Sequence, residues 1–240
     1  METNSVLSVR LRDRRFYLSL AMLLATIVFI GFARTFYLNS YFARLPLPPL
    51  AILHGIAFSS WIVLLVVQSS LISAKQVRAH RRLGYASIAL VVLMVAFALA
   101  LTIRSAQRGF TPPGAPPPLS FMAVNFADVV MFPSFVGIAL WYRNRPEIHK
   151  RLMIVATLAI LTPAIARILF NFTLKAVLFK AYAISLTILL GCMLYDYFNH
   201  RRVHPAYLWG GLILLISIPL RLYIGGTAAW LSFAHWMTGT

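Results

Sequence analysis

Apolar and polar positions along this chain change over at the length of whole helices, not residue by residue. Seven apolar runs, near 16–38, 51–73, 84–106, 121–142, 152–171, 181–199 and 206–226, are separated by basic or proline-rich connections. Crossing a hydrocarbon layer of ~30 Å takes about 20 helical residues at about 1.5 Å each, and each run meets that length. None shows the two-residue alternation of a membrane-barrel strand. The pattern therefore predicts an all-α, polytopic bundle of about seven transmembrane helices forming a single transmembrane domain over residues 1–240. The sixth run has the softest boundary, because Phe172–Lys180 before it is also fairly apolar. After the seventh, Thr227–Thr240 with Trp230, His235 and Trp236 reads as a short interfacial helix.

Composition agrees. Hydrophobic residues make up 60% of the chain and charged residues only 11%, where a soluble domain carries about a quarter charged. The net charge of +17 comes from 22 Lys and Arg against 5 Asp and Glu. In a soluble protein that excess would point to nucleic acid. Here the basic residues sit between apolar runs and serve to orient them, so nucleic acid is not a partner. Arg10, Arg12, Arg14 and Arg15 precede the first run, and Lys75, Arg78, Arg81 and Arg82 join the second to the third. Arg143, Arg145, Lys150 and Arg151 form the next set, and Arg201 and Arg202 the last. All of these fall on one side, in short loops, whereas the opposite side has the proline-rich connections 45–49 and 111–118. By the positive-inside rule the N-terminus is cytoplasmic and the C-terminus external. The basic segment Met1–Arg15 leads directly into an apolar run with no small-residue cleavage site, so the first span is expected to be retained. The single Cys192 excludes an intrachain disulfide and a cysteine-rich metal site.

A weak repeat accompanies the basic loops. Ala79-His-Arg-Arg-Leu-Gly84 opens the third helix, Ile148-His-Lys-Arg-Leu-Met153 the fifth, and Val203-His-Pro-Ala-Tyr207 the seventh, as repeated helical hairpins would give. With Leu53-His-Gly55, Trp61 and the longer stretch Arg202-Val-His-Pro-Ala-Tyr-Leu-Trp-Gly-Gly211, these motifs resemble a group of bacterial multi-span membrane proteins of unassigned function. The resemblance runs from the second helix to the end of the chain. It implies a bacterial inner (plasma) membrane location and brings no activity with it.

Ionisable groups inside spans are costly, which makes each a functional candidate. From helical rise, His54 lies about 6 Å and Asp128 about 12 Å below the outer ends of their helices, while Arg167 and Arg221 lie about 22 Å above the inner ends of theirs. Four helices thus bring His54, Asp128, Arg167 and Arg221 to similar depth. Arg34 and Arg104 fall at the outer ends of the first and third helices. Asn125 and Asp128 share a helix face, as do Arg167 and Asn171, and His54, Trp61 and Gln68 recur every seven residues in one stripe. Pro163 and Pro219 precede the two arginines and can bend their helices around a cavity.

One reading is an outer-half cavity for a small amphipathic or anionic molecule, with Asp128 and His54 catalytic, Arg167 and Arg221 holding an anionic or carbonyl head, and Asn125, Asn171 and Trp61 completing the lining. The other is a buried pair of Asp128 with one arginine, the remaining arginines reaching outward and Trp61 packing. His80, His149 and His204 at the basic ends suggest a three-histidine metal shell, but without tight ligand spacing they fit headgroup-level residues better. A haem carrier needs a second histidine at the depth of His54, which only a re-entrant His235 could supply. A quinone-linked redox protein, a small transporter, and an assembly or sensor partner stay open beside a membrane-embedded enzyme. No cofactor, and no partner beyond membrane lipid and the amphipathic ligand, is specified by these residues.

Overall fold

The computed structural model of the protein describes residues 2–42, 46–172 and 175–240, and the side chains of these except 2–8 and 10. The Arg10 side chain, Leu45 of the first proline-rich connection, and residues 173–174 before the sixth run lie outside the described residues. The described residues are helical, with no strand among them: α1 (Glu2–Phe32) with a π-helical turn at Ala33–Tyr37, α2 (Asn39–Phe42), α3 (Pro49–Ser73), α4 (Val77–Gln107) and α5 (Pro118–Trp141). Then come α6 (Pro146–Ala159), α7 (Thr162–Phe170), α8 (Val177–His200), α9 (Pro205–Gly225) and α10 (Ala228–Thr238).

Six of these are individually long and apolar enough to cross a membrane: Leu11–Tyr37 and the helices α3, α4, α5, α8 and α9. Counting α6 and α7, which are bent by 41° at their junction, as one span brings the number to seven. Long apolar side chains remain exposed along the helices, as on α9, where Leu208, Trp209, Ile213, Leu215, Ile216 and Leu220 all face outward. Water does not tolerate apolar surface on this scale, and lipid does. The chain is a multi-pass integral membrane protein.

It divides into two compact units, Met1–Phe97 and Ala98–Thr240, with the division inside α4. In the first unit α1 packs on α3. Leu20, Ala21 and Leu24 of α1 are buried, as are Ala57, Trp61 and Leu65 of α3, which recur at one-turn spacing. The π-helical turn sets the Phe36 ring against Gly55, where a Cβ would collide with it. Tyr37 then reaches the Ser59 hydroxyl at 2.8 Å, and Ser59 donates to Gly55 O at 2.6 Å.

In the second unit α5 packs on α6, α9 and α10, while α8 packs on α6, α7 and α9. Glycines allow the close approaches: a Cβ on Gly210 would stand 2.9 Å from Val155, and one on Gly211 2.9 Å from Leu189. The break between α6 and α7 has a local cause. Pro163 lacks the N–H that would bond Ala159 O, and the chain tightens to Ile160 N–Thr157 O and Leu161 N–Leu158 O contacts, both 3.3 Å. Ser185 of α8 donates to Leu158 O at 3.1 Å, so a neighbouring helix helps satisfy the interrupted turn. Pro219, by contrast, sits within an unbroken α9. Beyond α9, Thr227 caps α10, and Trp230 Nε1 donates to Leu119 O at 2.9 Å. The tail is thus helical, and it is tied to the first turn of α5.

Candidate functional site

Asp128 on α5 and Arg221 on α9 meet in the second unit. Arg221 Nη1 donates to Asp128 Oδ1 at 2.7 Å and to the Tyr182 hydroxyl of α8 at 2.7 Å, with Val124 O farther at 3.4 Å. Nη2 donates to Ser217 Oγ at 3.0 Å and to Met131 Sδ at 3.3 Å, and Nε to Ser217 O at 3.2 Å. The guanidinium also lies over the Tyr182 ring, 5.2 Å from its centroid. A guanidinium has five N–H donors, and here each has a protein acceptor. The Arg221 side chain is 3% exposed and that of Asp128 15%, so the carboxylate is the more accessible member of the pair. Among the described residues Asp128 Oδ1 accepts from Arg221, while Oδ2 has no hydrogen bond.

The other sequence candidates are arranged differently. Arg167 on α7 donates from Nη1 to Pro163 O at 3.0 Å, and Asn171 Nδ2 donates to Arg167 O at 3.2 Å, so both bond within their own helix. Asn125 lies one turn before Asp128 on α5 and is partly buried. His54 and Trp61 belong to the first unit. His54 stacks on Phe58 with centroids 4.2 Å apart, and Trp61 is 1% exposed.

A second polar cluster escaped the reading from sequence. Arg151 on α6 grips Asp196 on α8 through both ends of its fork, Nε to Oδ2 at 2.8 Å and Nη2 to Oδ1 at 2.6 Å. Its Nη1 donates to Glu147 Oε2 at 2.6 Å and Glu147 O at 2.8 Å, and its guanidinium lies 5.7 Å from the Tyr207 ring centroid on α9. Arg151 is 2% exposed and Asp196 0%. In the sequence Arg151 reads only as an orienting charge. The signal for Asp196 was its rarity: it is one of five acids in the chain and falls inside an apolar run. Tyr182, Ser217 and Met131 gave no comparable signal, because neutral side chains in a span are common.

The histidines at the basic ends have individual roles. His149 Nδ1 bonds Ala139 O at 2.8 Å. His204 caps α9, its Nδ1 accepting from Ala206 N at 3.1 Å, while its own N–H donates to Asp196 Oδ2 at 3.2 Å. His80 lies in the first turn of α4. Among the described residues no three His, Cys, Asp or Glu side chains are grouped so as to hold a metal ion. His204 Nδ1 accepts from Ala206 N, so its proton lies on Nε2 and neither ring nitrogen is left as a metal donor, whereas His149, whose Nδ1 donates to Ala139 O, keeps Nε2. Burial, and after it the Arg151 charge, holds the His204 imidazole below its ordinary range.

No protein-family model, no curated protein and no solved structure matches the chain.

Proposed function

We propose that the protein is a bacterial plasma-membrane protein, N-terminus inside and C-terminus outside, that handles a small amphipathic molecule at Asp128. The observation that carries the reading is the asymmetry of the Asp128–Arg221 pair. A buried arginine with every donor engaged holds a carboxylate whose second oxygen makes no hydrogen bond among the described residues, on a side chain 15% exposed. Arg221 is then the positioning residue, and Asp128 the group that meets the ligand. A carbonyl or carboxylic-acid head can approach Oδ2 when one proton lies between the two oxygens, because two carboxylates do not share a site without it. An anionic head that sought Arg221 directly would have to displace Asp128, and the released carboxylate would again need a proton. Either route links binding to the uptake of one proton. Asn125 shares the helix face of Asp128 and is assigned to the head-group lining. Arg167 and Asn171, in the same unit as Asp128, keep their sequence-based assignment to ligand binding.

Mass spectrometry of small molecules that stay with the purified full chain tests this. Wild type should carry an amphipathic molecule with a carbonyl or acid head, and Asp128→Asn should lose it while still eluting as a folded species. Identical bound molecules in the two proteins would refute the assignment of Asp128.

A further inference from the structure

An open groove lies at the α3–α4 turn, within the first unit. Lys75, Arg78 and Arg82 line it together with Val77, Leu83 and Ala86. Lys75 takes a positive φ of 62°, which turns the chain sharply between the end of α3 and the start of α4. Arg78 and Arg82 are spaced i, i+4, so they stand one above the other on the first turns of α4. All three cations are exposed, and among the described residues none makes an ion pair or hydrogen bond through its side chain.

The basic residues that open α6 have acid partners, and among the described residues those of this turn do not. Lys150 meets Glu147 at 2.7 Å, and Arg151 is held by Glu147 and Asp196. The sequence has no Asp or Glu between Asp13 and Asp128, so this turn has no acid near it along the chain. Orientation in the membrane requires only that positive charge be present in the loop. It does not require three cations around one groove, nor apolar side chains in the same groove. Both spans end at this turn, which places the groove at headgroup level.

We propose that this groove binds the headgroup of an anionic phospholipid, with Lys75, Arg78 and Arg82 around its phosphate and Val77, Leu83 and Ala86 along the start of its acyl chains. The cations supply long-range attraction to an anionic leaflet, and their convergence supplies a defined seat for one lipid. The apolar side chains explain why a lipid fits better than a soluble anion. This inference stands on the first unit alone and does not depend on Asp128.

Native mass spectrometry of the full chain, titrated with phosphatidylglycerol or phosphatidylcholine, tests it. Wild type should bind phosphatidylglycerol saturably and in preference to phosphatidylcholine. Each of Lys75→Gln, Arg78→Gln and Arg82→Gln should weaken that binding about fivefold, and the triple variant on the order of 100-fold. A control triple, Arg143→Gln, Arg145→Gln and Arg202→Gln, removes the same net charge elsewhere and should stay close to wild type. Equal losses in the two triples would reduce the effect to net charge and overturn the proposal, as would unchanged binding in the first. Inorganic phosphate competing as strongly as the lipid would reassign the groove to a soluble anion and also overturn it. Should the triple fail to fold, the graded losses of the three single variants decide the matter.

Discussion

A guanidinium taken out of water must place five N–H donors, and Arg221 places all of them on Asp128, Tyr182, Ser217 and Met131. Removing one member of such a pair leaves the other charge buried and should cost about 3–5 kcal/mol. Asp128→Asn and Arg221→Gln should each lower the apparent melting temperature in detergent. The double variant should recover part of the loss, and strictly additive losses would mean the charges are uncoupled. His204 gives a second test. Its pKa is lowered in the folded protein, so the unfolded chain takes up the proton first. The stability it contributes is complete above its ordinary value of about 6.5 and declines as pH falls below that. His204→Asn keeps an acceptor at the α9 cap and should flatten this acid-side loss. His204→Ala should cost about 0.5–2 kcal/mol at neutral pH through loss of the cap. Thermal unfolding at neutral and mildly acid pH separates the two. Asp128 was legible in the sequence because an acid in an apolar run must find a partner, and the depth of Arg221 made it one of two candidates. Arg151 was not, because a basic residue at a helix end already has an explanation in membrane orientation.

Among elements, the helices themselves were the most legible feature, since lipid demands long apolar runs with every backbone group satisfied internally. What the runs could not convey is the 41° break in the span expected at 152–171. Pro163 marked the place, but Pro219 carried the same mark and α9 stays continuous. The difference lies in tertiary contacts such as that of Ser185 with Leu158 O, which a single sequence does not display. Helix approach is equally hidden. A Cβ at Gly225 would lie 2.5 Å from the backbone oxygen of Ser120, whereas one at Gly137 has nothing within 4 Å. Gly225→Ala should therefore cost about 1–3 kcal/mol by overpacking against backbone that cannot yield. Gly137→Ala should be neutral or stabilising by up to about 1 kcal/mol through helix propensity. Melting temperatures of the two variants, compared side by side, check both.

For the whole molecule, the charge distribution predicts which loops face the cytoplasm. Cys192 is buried, so single cysteines introduced elsewhere will be the reactive ones. Cysteines in the 74–83, 143–150 and 200–205 segments should react with an impermeant reagent only from the cytoplasmic side, and one in 107–120 only from outside. Reaction of the last from the cytoplasmic side would invert the assignment. The central claim, that Asp128 serves a ligand and does more than pin α5 to α9, is tested most directly by binding of decanoic acid to the full chain in lipid nanodiscs across a pH series. With one proton taken up on binding, wild-type affinity should fall about tenfold for each pH unit toward alkaline, while Asp128→Asn should bind weakly with no such slope. Absence of saturable binding to wild type, or the same pH slope in the two proteins, would contradict the account.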